Sequence, residues 1–250
     1  MPAYKLTIAY DGTDYCGFQV QPNGPTIQGL LMKAAIDLFG PDVTVTGASR
    51  TDSGVHARGQ VVLLKADKAI EPRKVPLALN MRLPRDIVVV GAEEVDDDWH
   101  PRYVKHNKTY SYKIYNGSFH FPQDYRDSYH YYRKLDVQKM QEAGQLLVGT
   151  HDFESYSSAR KSVEETVRTI YRLEVTEENE MIQVVVTGNG FLYNMVRIIV
   201  GTLMEVGYGR RTLEAIEESV TKRDRSLTGK TAPAKGLTLL EISYDKKSDK

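Results

Sequence analysis

The spacing of the strand-like segments constrains the fold of this chain more than any other feature of its sequence. Several neighbouring segments lie too close in sequence for a crossover helix between them, and parallel pairing needs such a connection. We therefore expect an α+β fold with a mainly antiparallel sheet. The short apolar runs that predict strands are 5–10, 43–46, 60–64, 87–90, 108–115, 169–175, 181–187 and 237–242.

Helical periodicity occurs between these strands. Thr26 is the predicted N-cap of a helix that Gly40 ends. The order of a helix followed by two strands occurs twice, which indicates two related halves, 1–105 and 106–250, that pack together. Further helices are predicted at 71–83, 136–148, 190–204 and 213–220.

Composition excludes several classes of protein. The chain has 250 residues, 41% of them hydrophobic, which is enough for a substantial core. Cys16 is the only cysteine, and the six histidines are scattered without zinc-ligand spacing, so we expect no disulfide and no metal. The sequence contains no apolar run long enough to span a membrane and no apolar signal core near Met1, which predicts a cytoplasmic protein.

One aspartate stands in a setting typical of a catalytic acid. Arg50 precedes Asp52 by two residues and Gly54 follows it, which predicts a tight turn that presents a carboxylate beside a cation. Strand-like runs flank the turn, and a loop held by two strands is a common place for catalytic residues. The pattern is also typical of a turn aspartate that bonds its own backbone, so the segment alone leaves both interpretations open.

Tyrosines are concentrated around the strand predicted at 108–115. Eight of the 16 tyrosines fall between Tyr103 and Tyr132. Tyr110 and Tyr112 share one face of that strand, because side chains alternate along it. Tyrosines beside lysine and arginine suit stacking on exposed bases, although a sheet core with hydroxyls at its rim gives the same pattern.

Arg197 is the only charged residue between Gly190 and Glu205, in a segment predicted to be a buried helix. A buried arginine needs a partner. Its predicted helical neighbours Asn194 and Gly201 are polar or small, so the side chain is expected to follow a polar seam toward a carboxylate. An arginine that extends to solvent would give the same sequence.

Positive charge gathers toward the end of the chain, although the formal net charge is zero. A neutral protein can carry a basic face that binds nucleic acid, and solvated surface charges explain the pattern equally well. The segment 232–240 joins small residues to a strand, which permits close approach of a ligand or another chain. The basic residues are Arg210, Arg211, Lys222, Arg223, Arg225, Lys230 and Lys235.

These motifs together resemble the tRNA pseudouridine synthase A (TruA) family, in order and over nearly the whole chain. The segment 50–57, Arg-Thr-Asp-Ser-Gly-Val-His-Ala, resembles the active-site motif of that family and is its most specific part. Ser49 and Ser53 stand where Gly and Ala are more usual, and Thr238 stands where an aromatic residue is common. The other segments that carry the resemblance are 10–12, 17–19, 26–29, 108–110, 191–197 and 232–237.

The resemblance implies a fold and a reaction. The fold would be two ferredoxin-like halves that share a central, mainly antiparallel sheet, with the active site in the cleft between them. The enzyme would convert uridine to pseudouridine in the anticodon arm of tRNA, at positions 38 to 40. It would work as a homodimer and need no cofactor.

The resemblance also implies roles for individual residues. Asp52 would be the catalytic carboxylate, by attack on C1′, by stabilising an oxocarbenium ion, or by addition to the uracil ring. Arg197 would keep Asp52 ionised and oriented, and Tyr110 would stack on the base and close the pocket. Arg50 and His56 would contact the substrate; Arg50 would fill the space left by a flipped nucleotide or hold its phosphate.

The basic residues from 222 to 235 would hold the tRNA backbone.

Two other classes of protein compete with this interpretation. A catalytically silent RNA-binding protein on the same fold would keep the tyrosines and the basic residues, but would not need Asp52 together with Arg197. A nucleoside hydrolase or glycosidase usually needs a second carboxylate or a metal. No paired acid accompanies Asp52 in its motif.

Overall fold

A computed structural model describes residues 1–158 and 165–244, which form two compact units. Of the described residues, the first unit contains Met1–His106 together with 238–244, and the second contains Asn107–Leu237. The last strand therefore belongs to the first unit, whereas a division of the sequence at residue 105 assigns it to the second half.

Strands and helices are mixed along the chain. The strands are β1 (Ala3–Tyr10), β2 (Thr44–Gly47), β3 (His56–Lys65), β4 (Ile87–Glu94), β5 (His106–Tyr115), β6 (Tyr129–His130), β7 (Gly149–Asp152), β8 (Val167–Glu178), β9 (Met181–Gly188) and β10 (Leu237–Tyr244). The α-helices are α1 (Ile27–Phe39), α2 (Val75–Asn80), α3 (Val137–Gln145), α4 (Met195–Gly207) and α5 (Leu213–Lys222). The predicted α+β class is confirmed.

In the first unit the strands are ordered β4-β1-β3-β10, and β2 pairs with the same strand β3. All these pairs are antiparallel except β3 with β10. The arrangement of β1 to β4 with α1 and α2 is the ferredoxin-like pattern. Alternate residues of β1 are buried, namely Tyr4, Leu6, Ile8 and Tyr10, so this face of the central strand forms the core.

The strands of the second unit are also paired in a mainly antiparallel way. Its strands are ordered β5-β9-β8-β7, and the two-residue strand β6 runs parallel to β5. Strand β5 pairs with β9 from Lys108 opposite Gly188 to Tyr115 opposite Met181. Helix α3 packs on β8 and on α4, which is buried over most of its surface.

The start and end of α1 agree with the sequence signals. The Thr26 hydroxyl accepts the N–H of Gly29, as expected of an N-cap, at 3.2 Å. At the other end Gly40 has a φ of 102° and donates its N–H to the Ile36 carbonyl. Because a residue with a Cβ rarely adopts such a φ, glycine suits this position.

Two helix predictions were too long. The helix predicted at 71–83 is a 3₁₀ turn at Pro72–Lys74 followed by the six residues of α2. Pro76 lacks an N–H and lies in the first turn of α2, where no helical donor is required. The helix predicted from Gly190 begins at Met195, because Asn194 adopts a left-handed conformation with φ 60° and ψ 7°.

All four residues of the run 87–90 are apolar, which predicts a buried strand, and this prediction is wrong. The strand lies at the end of the strand order of its unit, and burial alternates along it, so only one of its faces packs on the core. Ile87 and Val89 are buried, whereas Val88 and Val90 are exposed. A run of β-branched residues does not distinguish such an edge strand from a central one.

Candidate active site

Asp52 lies on a short loop between β2 and β3 in the first unit. The Val55 N–H donates to the Asp52 carbonyl oxygen at 3.1 Å, which closes a turn, and Gly54 takes the left-handed φ of 76° that this turn requires. Asp52 itself is half-buried and Arg50 is exposed. The loop thus leaves Asp52 partly accessible to solvent.

The buried side of this loop is tied to β1 and to the segment that follows it. The hydroxyls of Tyr10 and Thr51 lie 2.7 Å apart and are buried. The Phe18 N–H donates to the Thr51 carbonyl at 3.1 Å, and the Ser53 hydroxyl donates to the Tyr15 carbonyl at 2.9 Å. The residues on both sides of Asp52 are therefore fixed by bonds to parts of the chain about 35 to 40 residues earlier.

Gln60 supports the start of the loop from strand β3. Its side chain is fully buried, its amide donates to the Ser49 carbonyl at 2.8 Å, and its amide oxygen accepts the Ser49 N–H at 3.1 Å. A buried amide that satisfies both backbone groups of one residue fixes that residue's orientation. Ser49 is in this way held three residues before Asp52.

Two glycines allow the backbone of the neighbouring segment to approach the loop closely. A methyl group at Gly12 would lie 2.0 Å from the Val55 carbonyl oxygen, which is far inside van der Waals contact. At Gly17, whose φ is 88°, it would lie 2.9 Å from the Thr51 carbonyl oxygen. Any larger residue at Gly12 must therefore displace either its own segment or the loop.

His56 is buried directly after the loop, with 6% of its surface exposed. Its Nδ1 accepts the Gly12 N–H at 3.2 Å and lies 3.2 Å from an Asp11 carboxylate oxygen. An acceptor role for Nδ1 corresponds to the tautomer with its proton on Nε2. His56 thus joins the turn after β1 to the beginning of β3.

Tyr110 lies on β5 in the second unit. It is 7% exposed, and its ring meets the edge of the Phe191 ring at 5.3 Å and 89°. Tyr112, two residues further on the strand, is fully buried and donates its hydroxyl to the Pro233 carbonyl at 2.8 Å. Burial raises the pKa of Tyr112 well above its usual value, and the Arg197 charge opposes that rise.

Arg197 lies in the first turn of α4. Its Nε donates to the Ala232 carbonyl at 2.7 Å, and its Nη1 donates to the Asn194 side-chain oxygen at 2.8 Å. The backbone of Arg197 also accepts the Ala232 N–H at 3.0 Å. The side chain is therefore held in one direction by a backbone carbonyl and a side-chain amide, and its direction toward a carboxylate stays a prediction.

The small residues at 232–236 serve contacts within the second unit. A methyl group at Gly236 would lie 2.6 Å from the Tyr112 ring. Together with the hydrogen bonds of Ala232 and Pro233, this joins the segment to both β5 and α4. Tyr112 and Arg197 thus contact the same short segment.

Several of the basic residues have protein partners. Lys222 pairs with Glu218 at 2.9 Å, and Arg223 pairs with Asp152 at 3.0 Å. Lys235 lies over the Tyr125 ring, 4.2 Å from its centre. These cations are less available to an external phosphate than the sequence alone suggested.

Sequence reasoning assigned no role to three residues that position these groups, Tyr10, Gln60 and Phe191, and named a fourth, Asn194, only as a polar neighbour of Arg197. Tyr10 and Gln60 support the Asp52 loop, and Phe191 and Asn194 contact Tyr110 and Arg197. For Gln60 a signal was present, because it is a single amide at the head of the apolar run 60–64. Phe191 and Asn194 stand in the motif of Arg197, where their nearness in sequence was the only signal.

Two features are absent from the described residues. Within 1–158 and 165–244, no three His, Cys, Asp or Glu side chains come together as a metal site would require. None of the helices in that part of the chain has the length and apolarity to cross a membrane.

The chain matches the family model described as tRNA pseudouridine synthase over residues 6–104 and 143–245. It is 46% identical to the tRNA pseudouridine synthase A of Brevibacillus brevis over 98% of this chain and 100% of that protein. The enzyme of the same name from Acetivibrio thermocellus is 45% identical over 96% of this chain and 98% of that protein. The chain also matches one chain of a solved Cbf5-Nop10-Gar1 complex at 12% identity. The match covers 94% of this chain and 47% of the matched chain, with a TM-score of only 0.34.

The chain belongs to the tRNA pseudouridine synthase family. It is accordingly an isomerase that converts uridine to pseudouridine.

Proposed function

We propose that this enzyme modifies uridines 38 to 40 in the anticodon arm of tRNA, with Asp52 as its catalytic carboxylate. The observation that supports the role of Asp52 is the construction of its loop. Tyr10, Gln60 and two close glycines fix the residues around Asp52, while the carboxylate itself stays partly exposed. Rigid support of one accessible acid is what a pre-organised catalytic group needs.

The reaction exchanges one glycosidic bond for another. The N1–C1′ bond breaks, the uracil turns, and a C5–C1′ bond forms; the C5 proton leaves and N1 takes up a proton. Asp52 acts on this path by attack on C1′, by stabilising an oxocarbenium ion, or by addition to the ring. Each route places the carboxylate next to the sugar and the base of a nucleotide that has left its stack.

Tyr110 and Arg197 serve the same reaction in this proposal. Tyr110 is held edge-on by Phe191 and stacks on the uracil, which limits access of water to the detached base. Arg197 supplies a charge whose direction is fixed by Ala232 and Asn194. Residues 1–105 would then carry the acid, and residues 106–250 the tyrosine strand and the arginine helix.

Arg50 and His56 complete the proposed substrate-binding set in different ways. Arg50 is exposed on the loop, where its side chain can bind a phosphate or fill the space left by the flipped nucleotide. His56 is buried, so it acts by holding the loop through the Gly12 N–H.

The test measures tritium released from tRNA that carries [5-³H]uridine. We expect the wild type and the control Asp67→Asn, an exposed acid outside the site, to release label at equal rates. Asp52→Asn should be slower by at least about 10⁴-fold, as for loss of a central catalytic group. Comparable release by Asp52→Asn would disprove its role.

The same assay tests the position of the modified uridines. Replacement of uridines 38 to 40 by cytidine should abolish release, and continued release would place the target elsewhere. No release by the wild type from any tRNA, with tRNA still bound, would favour the silent RNA-binding alternative.

A homodimer in the cytoplasm is also part of the proposal. The motif resemblance supports the dimer, and the single cysteine is compatible with a reducing compartment. Light scattering of the purified protein should give twice the 28.3 kDa chain mass. A monomeric mass at micromolar concentration would contradict the dimer.

A further inference from the structure

A polar cleft of about 380 Å³ lies on the second unit, apart from the contacts of Tyr110 and Arg197. Four cationic side chains and one carboxylate line it, so its lining is strongly positive although the whole chain has zero net charge. The lining residues are Glu205, Arg210, Arg211, Arg225, Ser226, Thr228, Gly229 and Lys230.

The floor of the cleft is a segment fixed against helix α4. A methyl group at Gly201 would lie 1.7 Å from the Lys230 carbonyl oxygen, so only glycine permits the two backbones to cross this closely. The Gly229 N–H donates to the Thr202 hydroxyl at 2.8 Å, and the Lys230 N–H donates to Glu205 at 3.3 Å. The position of Lys230 is therefore determined by α4.

Two arginines form the inner wall. Arg211 pairs with Glu205 at 2.9 Å and donates to the carbonyls of Leu227 and Thr228. Arg225 donates to the Thr228 hydroxyl at 2.6 Å and to the Gly229 carbonyl at 2.8 Å. Carbonyl partners orient a guanidinium without neutralising its charge. Among these contacts Glu205 is the one carboxylate, and it faces the positive charges of both Arg211 and Arg225.

The mutual repulsion of these arginines has a consequence for ligands. Burial lowers the pKa of Arg225, Glu205 raises it, and the charge of Arg211 lowers it. Arginine nonetheless stays protonated in proteins. An anion in the cleft would offset this repulsion.

Arg210 and Lys230 stand at the mouth of the cleft and are exposed. Within the described part of the chain, neither side chain makes an ion pair or a hydrogen bond. They differ in this respect from Lys222 and Arg223, which pair with acids close by. Two cations without acidic partners, above two arginines of fixed direction, form a suitable cradle for a tetrahedral oxyanion.

We propose that this cleft binds a phosphate group through Arg210 and Lys230, with Arg211 and Arg225 behind them. The phosphate belongs either to the backbone of the tRNA substrate or to a free phosphate ion. The first source rests on the proposed function. It places a backbone contact beside Glu205, which lies on the same helix as Arg197, eight residues or about 12 Å further along it.

The first arm of the test measures tRNA binding on filters over a range of KCl concentrations. In the double variant Arg210→Gln/Lys230→Gln, the slope of log K against log salt should fall by about two, one for each lost phosphate contact. Affinity at low salt should fall about tenfold or more. The control Lys139→Gln/Arg172→Gln makes the same change of charge at two exposed cations of the same unit, which pair with Asp136 and Glu174, and should change the slope by less than one.

The second arm measures orthophosphate binding by calorimetry with the wild type and the double variant. A changed tRNA slope with no orthophosphate binding would support the site and identify the RNA backbone as its source. Orthophosphate binding that the double variant loses, with an unchanged tRNA slope, would support the site and identify free phosphate.

No difference between wild type and double variant in either arm would overturn the proposal, provided that their circular dichroism melts agree. Both arms measure binding and not catalysis. A wild type that binds RNA through the cleft but releases no tritium would therefore refute the proposed reaction and leave the phosphate site intact.

Discussion

The Asp52 loop of the first unit and the Arg197 region of the second are built in different ways. The loop has side-chain bonds from Tyr10 and Gln60, but its path depends on close approach of backbone, through a left-handed Gly54 and the close glycines Gly12 and Gly17. The Arg197 region is shaped by side chains, because its guanidinium makes the hydrogen bonds to Ala232 and Asn194 that fix its direction.

The difference indicates which substitutions each region can tolerate. A backbone-shaped loop should fail when volume is added beneath it, since the backbone has no other path. A side-chain-shaped cluster should lose function in steps, one hydrogen bond at a time. The predictions below test this contrast.

The largest effect is expected from Gly12→Ala. Its methyl group would meet the Val55 carbonyl at 2.0 Å, so the Asp52 loop or the turn after β1 must move. A shift of about 1 Å in a catalytic group can cost about 10²-fold in rate, and we expect kcat in the tritium assay to fall by at least that factor. Unfolding should also become easier by about 1–3 kcal/mol, as for overpacking.

Gly91→Ala is the matched control, because β4 leaves open space within 4 Å of its new methyl group. It should keep both kcat and the denaturation midpoint near the wild-type values. Equal kcat values for the two alanine variants would show that the Asp52 loop accommodates the added methyl group. They would contradict the proposal that close backbone approach determines the position of Asp52.

The same contrast explains how much of the molecule was readable from the sequence. Strand β1, helix α1 with its Thr26 cap and the Asp52 turn were predicted, because each depends on residues close together in the chain. Tyr112 and Pro233 are 121 residues apart and Arg197 and Ala232 are 35 apart, so no local pattern could reveal these bonds.

The start of α4 illustrates the limit most clearly. An apolar run from Gly190 predicts a helix, but a left-handed Asn194 delays it until Met195. Asparagine adopts the left-handed conformation more readily than most residues. A single asparagine is nonetheless too weak a sequence signal to predict a helix start against the surrounding apolar pattern. Tertiary contacts, including the Asn194 bond to Ser158 at 2.7 Å, stabilise it.

Arg197→Lys should give the next largest effect. Lysine has a point charge on a flexible stem and cannot reproduce the fork that reaches Ala232 and Asn194 together. We expect kcat to fall about 10–100-fold, as for loss of two directed hydrogen bonds of a charged group.

Arg168→Lys is the corresponding control. Arg168 donates to the backbone carbonyls of Glu165 and Val167 at an exposed position, so its loss should leave kcat unchanged. Similar kcat values for the two lysine variants would remove Arg197 from the reaction.

Asn194→Gly should have a smaller effect on the same region. Glycine keeps the left-handed backbone but removes the oxygen that orients Arg197 Nη1. The loss of one hydrogen bond predicts a fall in kcat of about 3–10-fold with little change in stability. Ser158→Ala removes only the other bond of Asn194, and an equal fall in that variant would show that Arg197 orientation is not the cause.

The smallest effect is expected from the hydroxyl pair beneath the Asp52 loop. A double-mutant cycle of Tyr10→Phe and Thr51→Val should give a coupling energy of about 1 kcal/mol in urea denaturation, because the two hydroxyls bond at 2.7 Å in a buried position. Tyr4→Phe removes another tyrosine hydroxyl bond of the same unit, to the backbone of Ile70. It should lower stability by a similar amount and leave kcat unchanged.

A fall in kcat with Tyr10→Phe but not with Tyr4→Phe would mean that side-chain bonds also set the geometry of the loop. If that fall matched the one caused by Gly12→Ala, the two regions would share one principle of construction. If Tyr10→Phe cost stability alone, the glycines would be the determinant of where Asp52 lies, and the tyrosine would only hold the loop closed.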